Sequence, residues 1–72
     1  MFKIEDSISL GCHIKLGRKV QGLTQEALAA ASGVGIRFVR ELEEGKASCH
    51  LGKTLNVLKA LGVEIFIKGT ES

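Results

Sequence analysis

The side chains best suited to chemistry in this chain lie on one face of a short predicted helix that ends before Gly45. Its apolar residues, Phe38, Val39 and Leu42, recur at helical spacing and predict the buried face. The opposite face carries Ile36, Arg37, Arg40, Glu41 and Glu44. Arginine can donate a pair of hydrogen bonds to guanine, isoleucine can pack on a thymine methyl group, and glutamate can accept from cytosine. This face therefore suits a DNA groove; the plainer alternative is a solvated surface with an arginine–glutamate pair.

Cysteine and histidine give a weaker chemical signal. They occur as two adjacent pairs, Cys12-His13 and Cys49-His50. Structural zinc sites usually space their ligands several residues apart, so adjacent pairs do not predict a metal site. We expect Cys12 to be a small apolar residue that fills the interior side of the first helix and His50 to be a loop or capping residue. Without a carboxylate pair, a nucleophile–base set or a phosphate loop, we expect no enzymatic activity and no cofactor or metal.

Composition favours one small helical domain. The chain has 72 residues, of which 44% are hydrophobic, with three phenylalanines and no proline, tryptophan or tyrosine. A core of leucine, isoleucine, valine and alanine with many helix formers predicts an all-α fold. The formal net charge of +2 permits nucleic-acid binding without arguing for it. No long apolar run or signal-like leader is visible, so we expect a cytoplasmic protein.

Two short helices that meet at a glycine turn hold the polar face described above. Thr24 is a good N-cap, and Leu28 and Ala29 then face inward. Gly33 supplies the left-handed backbone that a sharp helix end requires, and Gly45 ends the second helix in the same way. Helices this short make little contact when antiparallel, so we predict a roughly perpendicular helix-turn-helix.

The spacing of five residues resembles the helix-turn-helix of the phage repressor and Cro (XRE) family. These residues are Gln25, Ala29, Gly33, Val39 and Leu42, within GLTQEALA, Gly33-Val34 and Glu43-x-Gly45. The resemblance covers about fifty residues, Ile14 to Leu61. It implies that the N-terminal half of the second motif helix enters the major groove, where Ile36, Arg37 and Glu41 would read bases.

The same resemblance implies further roles for other residues. Gln25 matches a glutamine that contacts phosphate, and Arg40 is equally suited to phosphate. Lys46, Ser48 and His50 flank the second motif helix and are candidates for contact with the DNA backbone, or form an ordinary exposed loop. Gly35 is a further candidate for DNA contact and stands where the family usually has a capping serine or threonine. Arg18 and Glu43 match an ion pair that ties two helices together, the alternative being that both extend into solvent.

A further predicted helix precedes the motif. We expect it to begin at an N-cap, Ser7, and to reach about Gln21, with Leu10, Ile14 and Arg18 on one side. Gly11 and Gly17 are unfavourable inside a helix, and we interpret them as points of close packing.

Another predicted helix follows the motif. Four leucines at helical spacing, Leu51, Leu55, Leu58 and Leu61, predict that it closes the core.

The two ends of the chain differ from the domain between them, predicted at 7–62. Residues 1–6 are a tail or a short strand, and the β-branched run within 63–72 predicts a strand over 63–68. A lone strand leaves its backbone groups unpaired. We therefore expect it to pair with its own copy in a homodimer through Val63, Ile65, Phe66 and Ile67. The alternatives are a ribbon with residues 2–5 and a mobile tail.

Within the XRE family, FVRELEEGK, the ending ALG and the terminal apolar strand resemble the HipB-type antitoxins. This resemblance implies a homodimeric repressor that binds double-stranded operator DNA, controls its own operon and binds a HipA-type kinase toxin. The alternative is a non-enzymatic protein-interaction module of the same fold without DNA binding. Salt-dependent affinity for duplex DNA would separate the two functions.

Overall fold

The computed structural model describes residues 2–69 and contains four α-helices. Helix α1 spans Ser7–Val20, α2 spans Gln25–Ser32, α3 spans Ile36–Glu43 and α4 spans Leu51–Ala60. Helix α2 packs against α3 and α4, and α1 packs against α3. This arrangement confirms the predicted all-α class. No helix in the described range is long and apolar enough to cross a membrane.

One apolar core joins the four helices. Its buried members are Ile14, Leu28, Ala29, Val39, Leu42, Val57, Leu58 and Leu61. The prediction that Leu51 and Leu55 belong to this core is wrong, since they are 70% and 38% exposed. Helix α4 buries Thr54, Val57 and Leu58 instead. These three residues follow i, i+3, i+4 spacing, so the buried face is rotated away from Leu51.

The first helix begins at a different cap from the one predicted. Asp6, not Ser7, is the N-cap: its carboxylate accepts from the Ser9 N–H at 2.8 Å, and the Ser9 hydroxyl accepts from the Asp6 N–H at 3.1 Å. Hydrogen bonding to the Asp6 carboxylate, first from the Ser9 backbone N–H and then from the Ser9 side chain, lowers the pKa of Asp6. The Ser7 hydroxyl instead donates to the Gly45 carbonyl at 2.8 Å, which links the start of α1 to the end of α3.

Close approach of α1 to the end of α3 explains one of the two helical glycines. A Cβ atom on Gly11 would lie 2.8 Å from the Glu43 carbonyl oxygen, so the predicted close packing is confirmed there. At Gly17 that prediction is wrong, because a Cβ would lie 3.8 Å from Leu61 Cδ1, an ordinary contact.

Cys12 is exposed rather than an apolar residue of the interior, because it lies on the outer side of α1.

Gly45 must be a glycine for two reasons, a left-handed backbone and the close approach of α1. Its φ is +87°, and an added Cβ would lie 2.8 Å from Ile8 Cα. A larger residue here would strain the backbone and push α1 away from α3.

The two ends form neither helix nor strand in the described residues. Residues 2–5 and 63–69 share no backbone hydrogen bond there, so the alternative ribbon between them is not formed. The strand predicted over 63–68 is absent within the single chain because no described neighbouring strand pairs with it. Val63 instead donates its N–H to the Leu58 carbonyl at 2.9 Å and closes the end of α4. Residue 1 and residues 70–72 of the predicted end segments lie outside the described residues.

Candidate nucleic-acid interface

Helix α3 presents a polar, charged face outward. Val39 and Leu42 are buried, and Phe38 is half-buried against the core. On the other side, the Arg37 side chain is 85% exposed and Arg40 is exposed. This division of the helix is the one that its sequence predicts.

The first turn of α3 is less firmly held than that of α2. Gly35 is the N-cap of α3 and makes no side-chain capping bond, whereas the Thr24 hydroxyl accepts from the Ala27 N–H at 3.0 Å. Ile36, the first helical residue, is 36% exposed. The apolar side chain of Ile36 therefore lies at the surface beside Arg37.

Glu41 joins two cations on this surface. Its carboxylate lies 3.4 Å from Arg37 Nε and 3.3 Å from Lys46 Nζ. The hydrogen bond from Lys46 and the charges of both cations outweigh desolvation and lower the pKa of Glu41. The arginine–glutamate pair was an alternative open from the sequence; the link to Lys46 was not predicted. The local signal for that link is a lysine just beyond the glycine that ends the helix.

A buried network lies behind the start of α2. Arg18 Nε donates to Glu43 Oε2 at 2.6 Å, and Nη2 donates to Oε1 at 3.0 Å. The two side chains are only 10% and 3% exposed, so the predicted ion pair is confirmed and is buried. Hydrogen bonding to Glu43 outweighs desolvation and raises the pKa of Arg18.

The carboxamide of Gln25 joins this ion pair. Gln25 is the first residue of α2 and is half-buried, and its Nε2 donates to Glu43 Oε1 at 3.1 Å. No pattern in the sequence predicts this bond. The two residues are 18 positions apart, and only the packing of α2 on α3 brings them together.

The loop after α3 supplies the remaining candidate contacts. Lys46 and Ser48 are exposed. His50 is the N-cap of α4, where Nδ1 accepts from the Lys53 N–H at 3.2 Å, which confirms its predicted capping role. Only Nε2 of His50 remains for another partner. Lys53 also places its Nζ 5.9 Å from the centroid of the Phe38 ring, a cation beside α3 that was not predicted from the sequence.

The residues predicted to join two chains differ in their surroundings. Val63 is half-buried and packs against the core. Ile65, Phe66 and Ile67 are 55%, 85% and 92% exposed. Ile65 and Phe66 line a groove of about 600 Å³ that lies between the N-terminal segment, α1 and α4. The segment after α4 therefore carries an exposed apolar surface.

Metal ligation finds no support in residues 2–69, where no group of three or more cysteine, histidine, aspartate or glutamate side chains could hold an ion. Cys12 and Cys49 are free thiols, one exposed and one half-buried.

Two helices that meet at a short glycine turn, the second with two exposed arginines on its outward face, define a helix-turn-helix domain of the kind found in transcriptional regulators. The chain belongs to the helix-turn-helix family HTH_3, whose sequence model matches residues 14–67. It is 42% identical over 65 residues to an uncharacterised HTH-type transcriptional regulator, y4mF, of Sinorhizobium fredii. That alignment covers 90% of this chain and 86% of the relative.

Solved structures of HipB share the fold. The HipB chain of a HipB-O1-O2 complex matches with a TM-score of 0.89 at 23% identity, over 96% of this chain and 100% of that one. A HipA-HipB-O2-O3 complex gives a TM-score of 0.88 at 24% identity, over 99% of this chain and 100% of the matched chain. These matches confirm the architecture that the resemblance to HipB-type proteins implied.

Proposed function

We propose that this protein is a sequence-specific transcriptional repressor that binds double-stranded DNA with α3. The observation that carries the proposal is the division of α3 into a buried apolar face and an exposed face with Arg37 and Arg40. Val39 and Leu42 anchor the helix in the core, so its outer face is presented on a rigid support. A helix presented in this way fits the major groove of B-DNA.

Three side chains at the exposed face are the proposed base readers. Arg37 is long and largely solvent-exposed, and it can donate two parallel hydrogen bonds to a guanine. Ile36 can pack on a thymine methyl group. Glu41 has two possible roles in such a complex: it accepts from cytosine directly, or it keeps Arg37 extended along the helix. Its 3.4 Å contact with Arg37 supports the second role.

Phosphate contacts would come from both sides of α3. Gln25 lies at the amino end of α2, where helix amides and the helix dipole favour an anion. Arg40 and Lys46 supply positive charge, and Ser48 and His50 supply neutral hydrogen-bonding groups in the following loop. Such contacts orient the protein without reading the sequence.

The apolar surface at this end of the chain supports a homodimer through residues 63–68. Phe66 and Ile67 are almost fully exposed, and the groove beside them is lined by apolar side chains such as Phe2, Leu51 and Leu55. A second copy, related by a twofold axis, would pair the two segments as antiparallel strands and cover both grooves. Two copies of α3 would then bind half-sites about one helical turn apart.

The more specific proposal is that the protein is the antitoxin of a HipBA-type pair. In this role it would repress its own operon and bind a HipA-type kinase toxin. The run FVRELEEGK, the ending ALG and the apolar end segment support it. The shared fold with HipB in a HipA-HipB-O2-O3 complex also supports it.

The acidic residues of α3 favour one alternative. Glu41 and Glu44 lie on the outer face, and the net charge of the whole chain is only +2. These charges favour a protein-interaction module that keeps the fold without binding DNA.

Fluorescence titration of duplex DNA at several salt concentrations separates the two functions. A dimer that places Arg40 and Lys46 of both chains on phosphates neutralises roughly four charges, so log K should fall with log salt with a slope of about −3.6. Affinity that is undetectable at low salt, or that does not change with salt, would favour the interaction module.

The dimer is tested separately by sedimentation. Ile67→Glu should give a monomer with intact helices, because it places a charge in the proposed interface. Val20→Glu is the matched control, since Val20 is also an exposed apolar residue, at 77%, but lies on α1. A dimer that survives Ile67→Glu, or a wild-type chain that is monomeric at micromolar concentration, would refute this interface.

A further inference from the structure

A hydrogen bond within the protein orients the side chain of Gln25 in the absence of DNA. Its Nε2 donates to Glu43 Oε1 at 3.1 Å, across the contact between α2 and α3. The second N–H of the same nitrogen has no partner among residues 2–69. Gln25 is only half-buried, so this N–H is able to meet a partner from outside the protein.

The acceptor of this bond is itself fixed. Glu43 Oε1 also accepts from Arg18 Nη2 at 3.0 Å, and Oε2 accepts from Arg18 Nε at 2.6 Å. The guanidinium is held in turn, since Arg18 Nη1 donates to the Leu23 carbonyl at 2.9 Å. The Glu43 side chain is 3% exposed. Hydrogen bonds thus run from Arg18 in the interior through Glu43 to Gln25 at the amino end of α2.

The charge state of Glu43 decides which way the carboxamide faces. Burial raises the pKa of Glu43, but hydrogen bonds from Arg18 and Gln25, with the charges of Arg18 and Lys15, outweigh it and lower the pKa overall. An ionised carboxylate only accepts hydrogen bonds, so the NH₂ group of Gln25 must face it and the carbonyl oxygen must face away. The ionised carboxylate of Glu43 therefore fixes the orientation of the Gln25 amide.

We propose that Glu43 is a positioning residue for DNA binding: it holds the Gln25 carboxamide so that its second N–H donates to a DNA phosphate. This inference rests on the proposed DNA-binding function. A glutamine fixed in advance loses less rotamer freedom when it binds than a free one does. Arg18 compensates the charge of Glu43, so the carboxylate repels the phosphate little.

Side-chain NMR of the folded wild-type protein tests the hydrogen bond between Gln25 and Glu43 without any substitution. The Nε2 resonances of Gln25 should shift with pH at the same midpoint as the Glu43 carboxyl carbon. Gln21 is the matched control because its Nε2 donates at 2.7 Å to the Leu61 carbonyl, which does not titrate. A Gln25 amide that does not follow Glu43, or that moves no more than Gln21, would overturn the inference.

A double-mutant cycle on duplex affinity tests the consequence for DNA. Gln25→Ala should weaken binding roughly tenfold, as the loss of a bond to a charged group does. Glu43→Gln should weaken binding several-fold in the wild-type background and hardly at all in the Gln25→Ala background. Val57→Ala controls for destabilisation, because Val57 is fully buried in α4 and should show no coupling to Gln25.

The outcomes of the cycle separate this inference from the proposed function. Equal effects of Glu43→Gln in both backgrounds, with strong binding by the wild type, would mean that Glu43 only supports the fold. If Val57→Ala couples to Gln25→Ala as strongly as Glu43→Gln does, the conclusion is again that Glu43 only supports the fold. A wild-type protein that binds no duplex at all would refute the proposed function and this inference with it. If Glu43→Gln does not fold, Glu43→Asp takes its place in the cycle, because it keeps the negative charge beside Arg18 and shortens the reach of the carboxylate to Gln25.

Discussion

Replacement of Glu43 by glutamine should destabilise the fold far more than an exposed charge change on the same helix. Glu43→Gln keeps the size and shape of the side chain and removes its negative charge. Arg18 would then be left as a cation that is 8% exposed, with only one amide oxygen at position 43 to accept its hydrogen bonds. The guanidinium cannot lose its proton to escape this penalty.

The size of the effect follows from the burial of the pair. Removing one partner of a buried ion pair costs about 3–5 kcal/mol, because the other charge remains buried without compensation. A domain of this size has a total stability on the order of 4–11 kcal/mol, so the loss is a large part of the whole. One kcal/mol corresponds to roughly 4–8 °C in a domain this small, which predicts a drop in melting temperature of roughly 12–40 °C.

Thermal unfolding followed by circular dichroism measures this difference. Glu41→Gln is the matched control: it makes the same chemical change on the same helix, where the carboxylate pairs with an exposed arginine at 3.4 Å. Its melting temperature should stay close to that of the wild type, because solvated ion pairs contribute little. Similar shifts for the two variants would refute the argument from burial.

Three further predictions concern the charge of Glu43, the two glycines of α1 and the exposed face of α3. Acid should destabilise the protein: the pKa of Glu43 is lowered below 4.5, so stability present above that pH is lost as pH falls through the folded-state value. As the pH is lowered from neutral to below 4.5, the melting temperature should fall for the wild type and much less for Glu43→Gln. Gly11→Ala should lower the urea midpoint because its Cβ meets backbone, whereas Gly17→Ala, with room for a methyl group, should raise stability by up to about 1 kcal/mol. Arg37→Ala should cost about 1–3 kcal/mol on a preferred duplex and relax discrimination at one base pair. Equal losses on all duplexes for Arg37→Ala would exclude it as a base reader.

Local sequence signals were sufficient for much of the fold. Thr24 and Gly33 define the ends of α2 through a cap and a left-handed turn, and both features are present. The apolar residues of α3 repeat clearly enough to identify its buried face. The Arg18–Glu43 pair came from the resemblance to the XRE family, because 25 residues separate its members and no local pattern joins them.

The errors have physical causes of two kinds. Asp6 and Ser7 are adjacent residues that both cap helices well, so propensity alone does not decide between them. Leu51 and Leu55 are apolar and correctly spaced, but their exposure depends on how α4 is rotated against the core. The same dependence on rotation explains why Cys12 was placed inside.

The contacts of Gln25 with Glu43 and of Lys46 with Glu41 were missed for another reason. The first depends on the angle at which α2 meets α3, and the second on the path of the chain after the helix. Sequence spacing carries little information about either quantity. The structure was needed to show that Gln25, expected as a free phosphate ligand, has an internal partner.

Selection of preferred sites from a random pool of duplex DNA tests the central claim most directly. The bound fraction would be recovered at a fixed salt concentration and sequenced over successive rounds. Sequence-specific binding by a dimer through α3 predicts an enriched motif with two inverted half-sites about 10 base pairs apart, centre to centre. Arg37→Ala should lose the preference at one position in each half-site. No enriched motif, or a single half-site bound by the wild-type chain, would contradict this account.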